Sequence, residues 1–340
     1  MINVGIMGAT GYAGEELIDI LLRHPQARIT DICAKIDKAR KISDIFPRFK
    51  ERIELICTEP DIKQILAKCD LVFLALPHTV SMELVPALLK AGKKVIDLSA
   101  DYRLKDTKIY EKFYDARHKD KLNLTDAVYG LPEIYRLKIK NARLIANPGC
   151  YPTLSILALA PLVALGLVET GSIVIDAKSG VTGAGRKLAE GFLFSELNED
   201  FKAYKVNMHQ HSPEINQELS KLAGKKISVT FVPHLLPLSR GILATIYVKK
   251  IQNPKSKIQN LTNLYKKFYK KEPFVRIRDE GDFPRLKDVL RTNFCDIGIK
   301  DDPDSIIIIA AIDNLLKGAS GQAVQNMNIM YKFPEYTALL

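Results

Sequence analysis

The sequence has no apolar run long enough to cross a bilayer. Its longest, residues 155–168 and 306–312, fall short of the roughly 20 residues a membrane helix needs, and Pro161 and Gly166 interrupt the first. Cysteine is sparse: Cys33, Cys57, Cys69, Cys150 and Cys295 are odd in number, widely spaced and form no CxxC pair. That argues against a zinc site or a disulfide framework and for a reduced, cytoplasmic chain. A strand pattern from Ile2 and a glycine loop from Gly8 lead us to expect no leader peptide. A basic cluster is also missing. Lys+Arg 50 against Asp+Glu 39 give a net charge of +11, but the cations are scattered through mixed-charge segments. No nucleic-acid and no membrane partner is expected; the excess reads as no more than a lysine-rich composition, or else as a charge that gathers small anions. No internal repeat or low-complexity tract is present. With 47% hydrophobic and 26% charged residues over 340 positions, the chain is globular and long enough for two domains, each with its own core.

The first third alternates apolar runs with amphipathic helical patterns. Strands are predicted at 2–7, 28–34, 70–76 and 94–98, and helices at 14–23, 62–68 and 80–91. Strands alternating with helices imply right-handed crossovers and a parallel sheet, a doubly wound α/β (Rossmann) dinucleotide-binding domain. Residues 100–143 are polar, aromatic and loop-like. After Asn147-Pro148-Gly149 the pattern changes to one apolar helix (154–167) followed by strand-like stretches at 172–177, 226–231, 241–249 and 305–312. This predicts an α+β domain with a largely antiparallel or mixed sheet. A last helical pattern at 314–331 returns to the first domain. The expected division is 1–147 with 314–340 for the cofactor, and 148–313 for substrate and oligomer contacts.

Gly8-Ala9-Thr10-Gly11-Tyr12-Ala13-Gly14 stands between a strand and a helix with GxxGxxG spacing. Gly8 would allow the tight turn and Gly11 the approach of backbone to a pyrophosphate. Gly14 would bring helix and strand close, with the helix N-terminus facing the anion. An NAD site wants an acid at the tip of the second strand. Here Asp31 lies inside the strand and the tip runs into Lys35, Lys38 and Arg40, which favours a 2′-phosphate and hence NADP.

Cys150 precedes the apolar helix, with Pro152 predicted at its first position. Unpaired N–H groups and the helix dipole favour a thiolate there. The other four cysteines sit in apolar segments and read as small core residues. A nucleophilic thiol beside a nicotinamide site points to oxidoreduction between an acyl group and an aldehyde through a thioester. The base comes from His209-Gln210-His211, two histidines on one side of an extended segment, with Ser212 predicted to cap the next helix, Pro213 at its first position and Glu214 in its first turn. HxH is also a metal-ligand spacing, but no third ligand completes it, so no metal is expected. Residues 179–187 form a glycine-rich loop ending in Arg186 and Lys187, which reads either as a wrap for an anion or as a plain mobile loop.

Several motifs together resemble a known family: the glycine loop, LALPHTV (74–80), DLSADYRL (97–104), NPGCYPT (147–153), SGVTGAGRK (179–187), HxHxPEI (209–215), PHLLPLSRGILATIYV (233–248) and DNLLKGASGQAVQNMN (313–328). In this order they are similar to the N-acetyl-γ-glutamyl-phosphate reductases of arginine biosynthesis. The resemblance implies a two-domain fold like that of glyceraldehyde-3-phosphate and aspartate-semialdehyde dehydrogenases, NADPH as reductant, and a homo-oligomer, dimer or tetramer. It implies Cys150 as nucleophile, His211 as acid/base, and His209 and Glu214 orienting substrate or imidazole. Ser179, Arg186 and Arg240 would contact substrate anions. Gly8, Thr10, Gly11, Tyr12, Ala13, Gly14 and Lys35 would hold the cofactor, with Pro77, His78 and Asn314 near the nicotinamide. One departure stands at Ala34-Lys35-Ile36-Asp37, where the family's hydroxyl- and glycine-rich run is missing. The competing readings are a reductase of a related acyl phosphate (carrier-bound aminoadipyl or glutamyl, or aspartyl) and a catalytically silent NADP-binding sensor.

Overall fold

The computed structural model describes residues 1–186, 188–251 and 260–340. They divide into two compact units, Met1–Pro148 with Ala319–Leu340, and Gly149–Gly318. The chain thus re-enters the first unit at 319, beyond the expected 314.

In the first unit, β1 (Ile2–Met7), β2 (Ala27–Cys33), β3 (Leu71–Leu74), β4 (Lys94–Asp97), β5 (Val128–Tyr129) and β6 (Leu144–Ala146) form one parallel sheet in the order β2-β1-β3-β4-β6-β5. Strands covered on both faces read as continuous apolar runs, which is why Leu71-Val72-Phe73-Leu74, all buried, were visible in the sequence. Helices α1 (Tyr12–Leu21), α2 (Ile62–Lys68) and α3 (Ser81–Lys90) make the crossovers. The strand order reverses between β1 and β3, and the loops leaving these two strands lie at the carboxyl edge where such sheets bind ligands.

Residues 100–143 are not loop-like. They hold α4 (Thr107–Tyr114), α5 (Lys121–Asp126) and α6 (Pro132–Lys140). These helices are short, and each buries only one or two residues: Tyr110, Leu124, and Pro132 with Ile139. At 8, 6 and 9 residues they are shorter than the window of about 11–18 over which a helical period declares itself, although Thr107–Tyr114 is itself strongly amphipathic. Side-chain caps start the first two: Asp106 accepts from the N–H of Lys108 and Ile109, and Asp120 from that of Asn123.

The second unit opens on α7 (Cys150–Ala164), four residues earlier than the pattern suggested, with Cys150 itself the first helical residue and Pro152 the third. Proline is tolerated there because the first four helical N–H groups have no partner within the helix. Thirteen of its fifteen residues are buried, so it is a core helix with no polar face. Pro161 removes the N–H that would bond the Leu157 carbonyl. The Tyr269 hydroxyl donates to that carbonyl at 2.5 Å, and Tyr265 donates to Ala158 O at 2.7 Å. Tyr265 lies in α9 (Leu261–Phe268), which follows α8 (Ser212–Ala223).

A seven-stranded mixed sheet completes this unit: β7 (Val174–Ser179), β8 (Lys202–Ala203), β9 (Thr230–Leu235), β10 (Ile242–Lys249), β11 (Val275–Ile277), β12 (Cys295–Asp301) and β13 (Ser305–Ile312), ordered β8-β9-β7-β10-β13-β12-β11. The strand expected at 226–231 lies at Thr230–Leu235 instead. β12 went unforeseen because its apolar residues are broken by Asp296 and Gly298. The final helical pattern is a π-type turn, Leu316–Ser320, followed by α10 (Gly321–Met330) in the first unit. Among the described residues no helix is long and apolar enough to cross a membrane.

Candidate active site

Two clusters of chemistry-bearing residues stand out, one in each unit. In the first, the glycine loop joins β1 to α1. Gly8 has φ +87°, and a Cβ there would meet the Ala75 carbonyl oxygen at 2.1 Å, so the loops leaving β1 and β3 touch backbone to backbone. A Cβ on Gly14 would strike Gly8 O at 2.3 Å and Ala9 Cα at 2.7 Å, so the helix packs tightly on the turn. A Cβ on Gly11 would meet only Gly8 O, at 3.5 Å. Gly11 is therefore bare toward open space, while the other two are bare because the fold crowds them. No side chain caps α1, so its N-terminus suits an anion approaching past Gly11. Thr10, Tyr12 and Ala13 are half-buried in this turn, and the Ala13 carbonyl accepts from the Ser320 hydroxyl at 2.9 Å. This cradle fits a dinucleotide pyrophosphate.

The tip of β2 is tied to the loop, since Gly8 N–H and Ala9 N–H both donate to Cys33 O. Asp31 is 4% exposed and accepts from Gln64 Nε2 at 2.5 Å, so its carboxylate is engaged below the tip. Lys35 is exposed at the tip. In the loop after β3, Pro77 is exposed and His78 half-buried. His78 Nδ1 accepts the Ala100 N–H at 3.1 Å, and burial, with the Arg103 charge second, pulls the imidazole down to about 4.

The second cluster gathers around the first turn of α7. A Cβ on Gly149 would lie 2.5 Å from His211 Nε2, and one on Gly318 would lie 2.8 Å from Cys150 Cβ. The half-buried Cys150 is thus flanked by two positions where only hydrogen fits. Gly149 N–H donates to Glu214 Oε1 at 2.9 Å, binding the start of α7 to the first turn of α8. Glu214 is 1% exposed.

His209 and His211 lie in a turn, not in an extended segment. Lys205 and Asn207 take positive φ (+43° and +55°), and Ser212 N–H closes back on His209 O. The two rings nevertheless come together, with centroids 4.8 Å apart. His211 N–H donates to His209 Nδ1 at 3.0 Å, so in the neutral ring the His209 proton sits on Nε2. Burial, then the Lys205 charge, pulls His209 down to about 4, so it is uncharged near neutrality. His211 rather than Ser212 stands at the N-cap position of α8, where no side chain caps the helix, and Ser212 is the first helical residue. Its buried Oγ has no hydrogen-bond partner among the described residues.

Three aromatic residues that sequence reasoning missed wall this cluster. Tyr151 meets both imidazoles edge-on, at 5.4 and 5.9 Å, and Phe231 at 5.2 Å. Its hydroxyl is 3.1 Å from that of Tyr204, whose ring lies 5.6 Å from His209. Burial raises both phenols, Tyr204 to about 12. Tyr151 had a signal, being next to Cys150 within the motif; Tyr204 had none.

Ser179, 3% exposed, ends β7 with its hydroxyl on Gly180 O. Arg186 is exposed, and Lys187 lies outside the described residues. Arg240 Nη1 bonds the fully buried Asp313 at 3.2 Å. Asn314, expected with the cofactor domain, belongs to the second unit, where its Oδ1 accepts the Gly241 N–H (2.7 Å) and its Nδ2 donates to Thr182 (3.0 Å). Among the described residues no group of three His, Cys, Asp or Glu side chains is placed to hold a metal ion.

Residues 3–142 match the family model described as semialdehyde dehydrogenase, NAD binding domain, and residues 150–314 the semialdehyde dehydrogenase, dimerisation domain. Among solved structures, aspartate semialdehyde dehydrogenase II of Vibrio cholerae superposes with TM-score 0.73 at 18% identity, covering 98% of each chain. The Candida albicans aspartate semialdehyde dehydrogenase solved with NADP gives 0.73 at 15%, covering 97% of this chain and 98% of that one. Fold and family models together define the class as a semialdehyde-dehydrogenase-type oxidoreductase. Curated relatives narrow it further. The N-acetyl-γ-glutamyl-phosphate reductases of Acetivibrio thermocellus and Symbiobacterium thermophilum are 50% and 48% identical, covering 100% of this chain and 98% and 97% of theirs. The chain belongs to the N-acetyl-γ-glutamyl-phosphate reductase family.

Proposed function

We propose that this chain reduces N-acetyl-γ-glutamyl phosphate to N-acetylglutamate 5-semialdehyde in arginine biosynthesis, with Cys150 as nucleophile and NADPH as reductant. The observation that carries the mechanism is the junction at Gly149, where one bare Cα lies between the His211 imidazole and the first residue of α7. His211 takes the thiol proton as the Cys150 sulfur attacks the γ-acyl carbon, the C–O bond to phosphate breaks, and inorganic phosphate departs with the bonding pair, leaving a thioester on the protein. When bound, NADPH would supply a hydride to the thioester carbon, and protonated His211 gives its proton to the carbonyl oxygen, so that the thioester becomes the thiohemiacetal. His211 then removes the hydroxyl proton as the C–S bond breaks, releasing the aldehyde and restoring the thiol.

His209 orients His211, since its Nδ1 holds the His211 backbone N–H. Glu214 acts on the same geometry from below by holding Gly149 N–H. Ser179, Arg186 and Arg240 are the candidates for the substrate's carboxylate and phosphate, Arg240 being pre-set by Asp313. Gly8, Thr10, Gly11, Tyr12, Ala13 and Gly14 cradle the pyrophosphate, Lys35 meets the 2′-phosphate, and Pro77 and His78 border the nicotinamide half.

The protein works as a cytoplasmic homo-oligomer. In support, the outer face of the seven-stranded sheet carries Leu243, Ile307 and Ile309 half-buried and Tyr247 44% exposed, an apolar face that a second copy would cover. The deciding assay is the reverse reaction, phosphate-dependent oxidation of N-acetylglutamate semialdehyde with NADP and with NAD. Cys150→Ser should abolish it. Turnover retained in that variant, or a preference for aspartate or aminoadipate semialdehyde, would overturn the assignment.

A further inference from the structure

Thr79, in the loop between β3 and α3, has φ +77°. A β-branched residue with positive φ is strained, because its Cβ crowds the neighbouring carbonyl, and it persists only where surrounding contacts impose it. One side chain imposes it here. Asp101, fully buried, accepts the Thr79 N–H at 2.8 Å and the Tyr110 hydroxyl at 2.7 Å on Oδ1, and the Met82 N–H at 3.1 Å on Oδ2. The last contact caps α3, whose own N-cap residue, Val80, offers no side chain for the purpose. The carboxylate is fixed in turn: Asp101 O lies 2.6 Å from His118 Nε2, and Asp101 N–H donates to Ser99 Oγ.

His78 immediately precedes Thr79 and leans on the same segment. Its Nδ1 takes the Ala100 N–H, and its ring meets Tyr114 edge-on at 5.0 Å. The neutral ring therefore carries its one proton on Nε2. This loop leaves β3 at the point where the strand order reverses, with Ala75 O against Gly8.

We propose that Asp101 is a positioning residue for dinucleotide binding: by holding Thr79 in its left-handed conformation it keeps the His78 Nε2–H available to an acceptor oxygen of the dinucleotide. This rests on the assignment of the first unit as the NADPH site. Without the carboxylate the 78–79 peptide relaxes toward negative φ and turns the imidazole with it. The substitution Thr79→Gly allows either conformation without strain, so it uncouples the loop from Asp101.

The test is a two-by-two cycle of Asp101→Asn and Thr79→Gly in the full chain, read by NADPH fluorescence titration and steady-state kinetics. In the otherwise wild-type chain, Asp101→Asn should raise the Kd and KM for NADPH about tenfold, leaving kcat at saturating NADPH within about twofold; in the Thr79→Gly background the same change should cost less than about threefold. Equal losses in both backgrounds, or no loss in a folded Asp101→Asn protein, would overturn the proposal. Should Asp101→Asn not fold, His78→Phe, which removes the Nε2–H while leaving the Asp101 contacts in place, replaces it. A weaker NADPH affinity in that variant supports the proposal, and an unchanged affinity overturns it. A wild-type protein that bound no NADPH would instead refute the cofactor assignment itself, a separate outcome.

Discussion

The imidazole of His211 rests against the Cα of Gly149: a methyl group there would stand 2.5 Å from Nε2 and 2.9 Å from both ring carbons beside it. Neither φ nor a turn requires glycine at this position, since its φ is −69°. The requirement is one of space.

Gly149→Ala should therefore act mainly on chemistry. The added methyl displaces the ring from the start of α7, and a misplacement of about 1 Å in a reacting group is enough to cost roughly a hundredfold in rate. Overpacking should lower stability by about 1–3 kcal/mol, leaving the protein folded. We expect kcat to fall to near that of His211→Asn, with NADPH affinity unchanged. Wild-type turnover in folded Gly149→Ala would remove His211 from the mechanism.

How much of this was legible beforehand depended on the range of the interactions. β1 matched its predicted bounds, residues 2–7, because a buried parallel strand writes itself as a local apolar run. Cys150 was visible within NPGCYPT, and His209, His211 and Glu214 within HxHxPEI, because each motif is a short run of sequence; that folding sets Gly149 against His211 and Glu214 was not visible. The helices between 107 and 140 escaped because each is too short for its pattern to stand out from the polar, aromatic segment around it. Tyr204 and Asp101 escaped for a different reason. Their importance lies in partners brought together by folding: Tyr151 for one, Thr79 and Met82 for the other. The histidine segment, expected to be extended, lies in a turn: Lys205 gives no sign of its left-handed backbone, and Asn207, a residue type that tolerates it, was the one local cue.

His209 gives the protein an acid-sensitive element. Burial holds the folded imidazole near 4, against 6.5 for the ordinary group. Between these values the unfolded chain binds a proton that the folded chain does not, so stability rises with pH across the window. The contribution is fully present above about 6.5, shrinks as pH falls toward 4, and amounts to at most about 3 kcal/mol. Denaturant titrations from pH 7 to pH 4 should show wild-type stability falling, and His209→Gln should make that slope shallower without removing it, since the buried His78 shares it. An equal slope in the variant would mean that His209 is protonated in the folded protein.

The contact between Tyr269 and the Leu157 carbonyl makes a prediction about folding alone. Pro161 leaves this carbonyl without its helical donor, deep inside a helix whose faces are nearly all buried, and the Tyr269 hydroxyl supplies the missing proton at 2.5 Å. Removing only that oxygen leaves a buried acceptor unsatisfied, which costs about 1–3 kcal/mol, more than the net value of an ordinary hydrogen bond. Tyr269→Phe should therefore lower the denaturant midpoint at unchanged m value, while the KM values stay as in the wild type. Pro161→Ala restores the helical N–H, so in that background Tyr269→Phe should cost under about 1 kcal/mol. If the tyrosine loss is the same with either residue at 161, the hydroxyl is not standing in for the missing backbone donor.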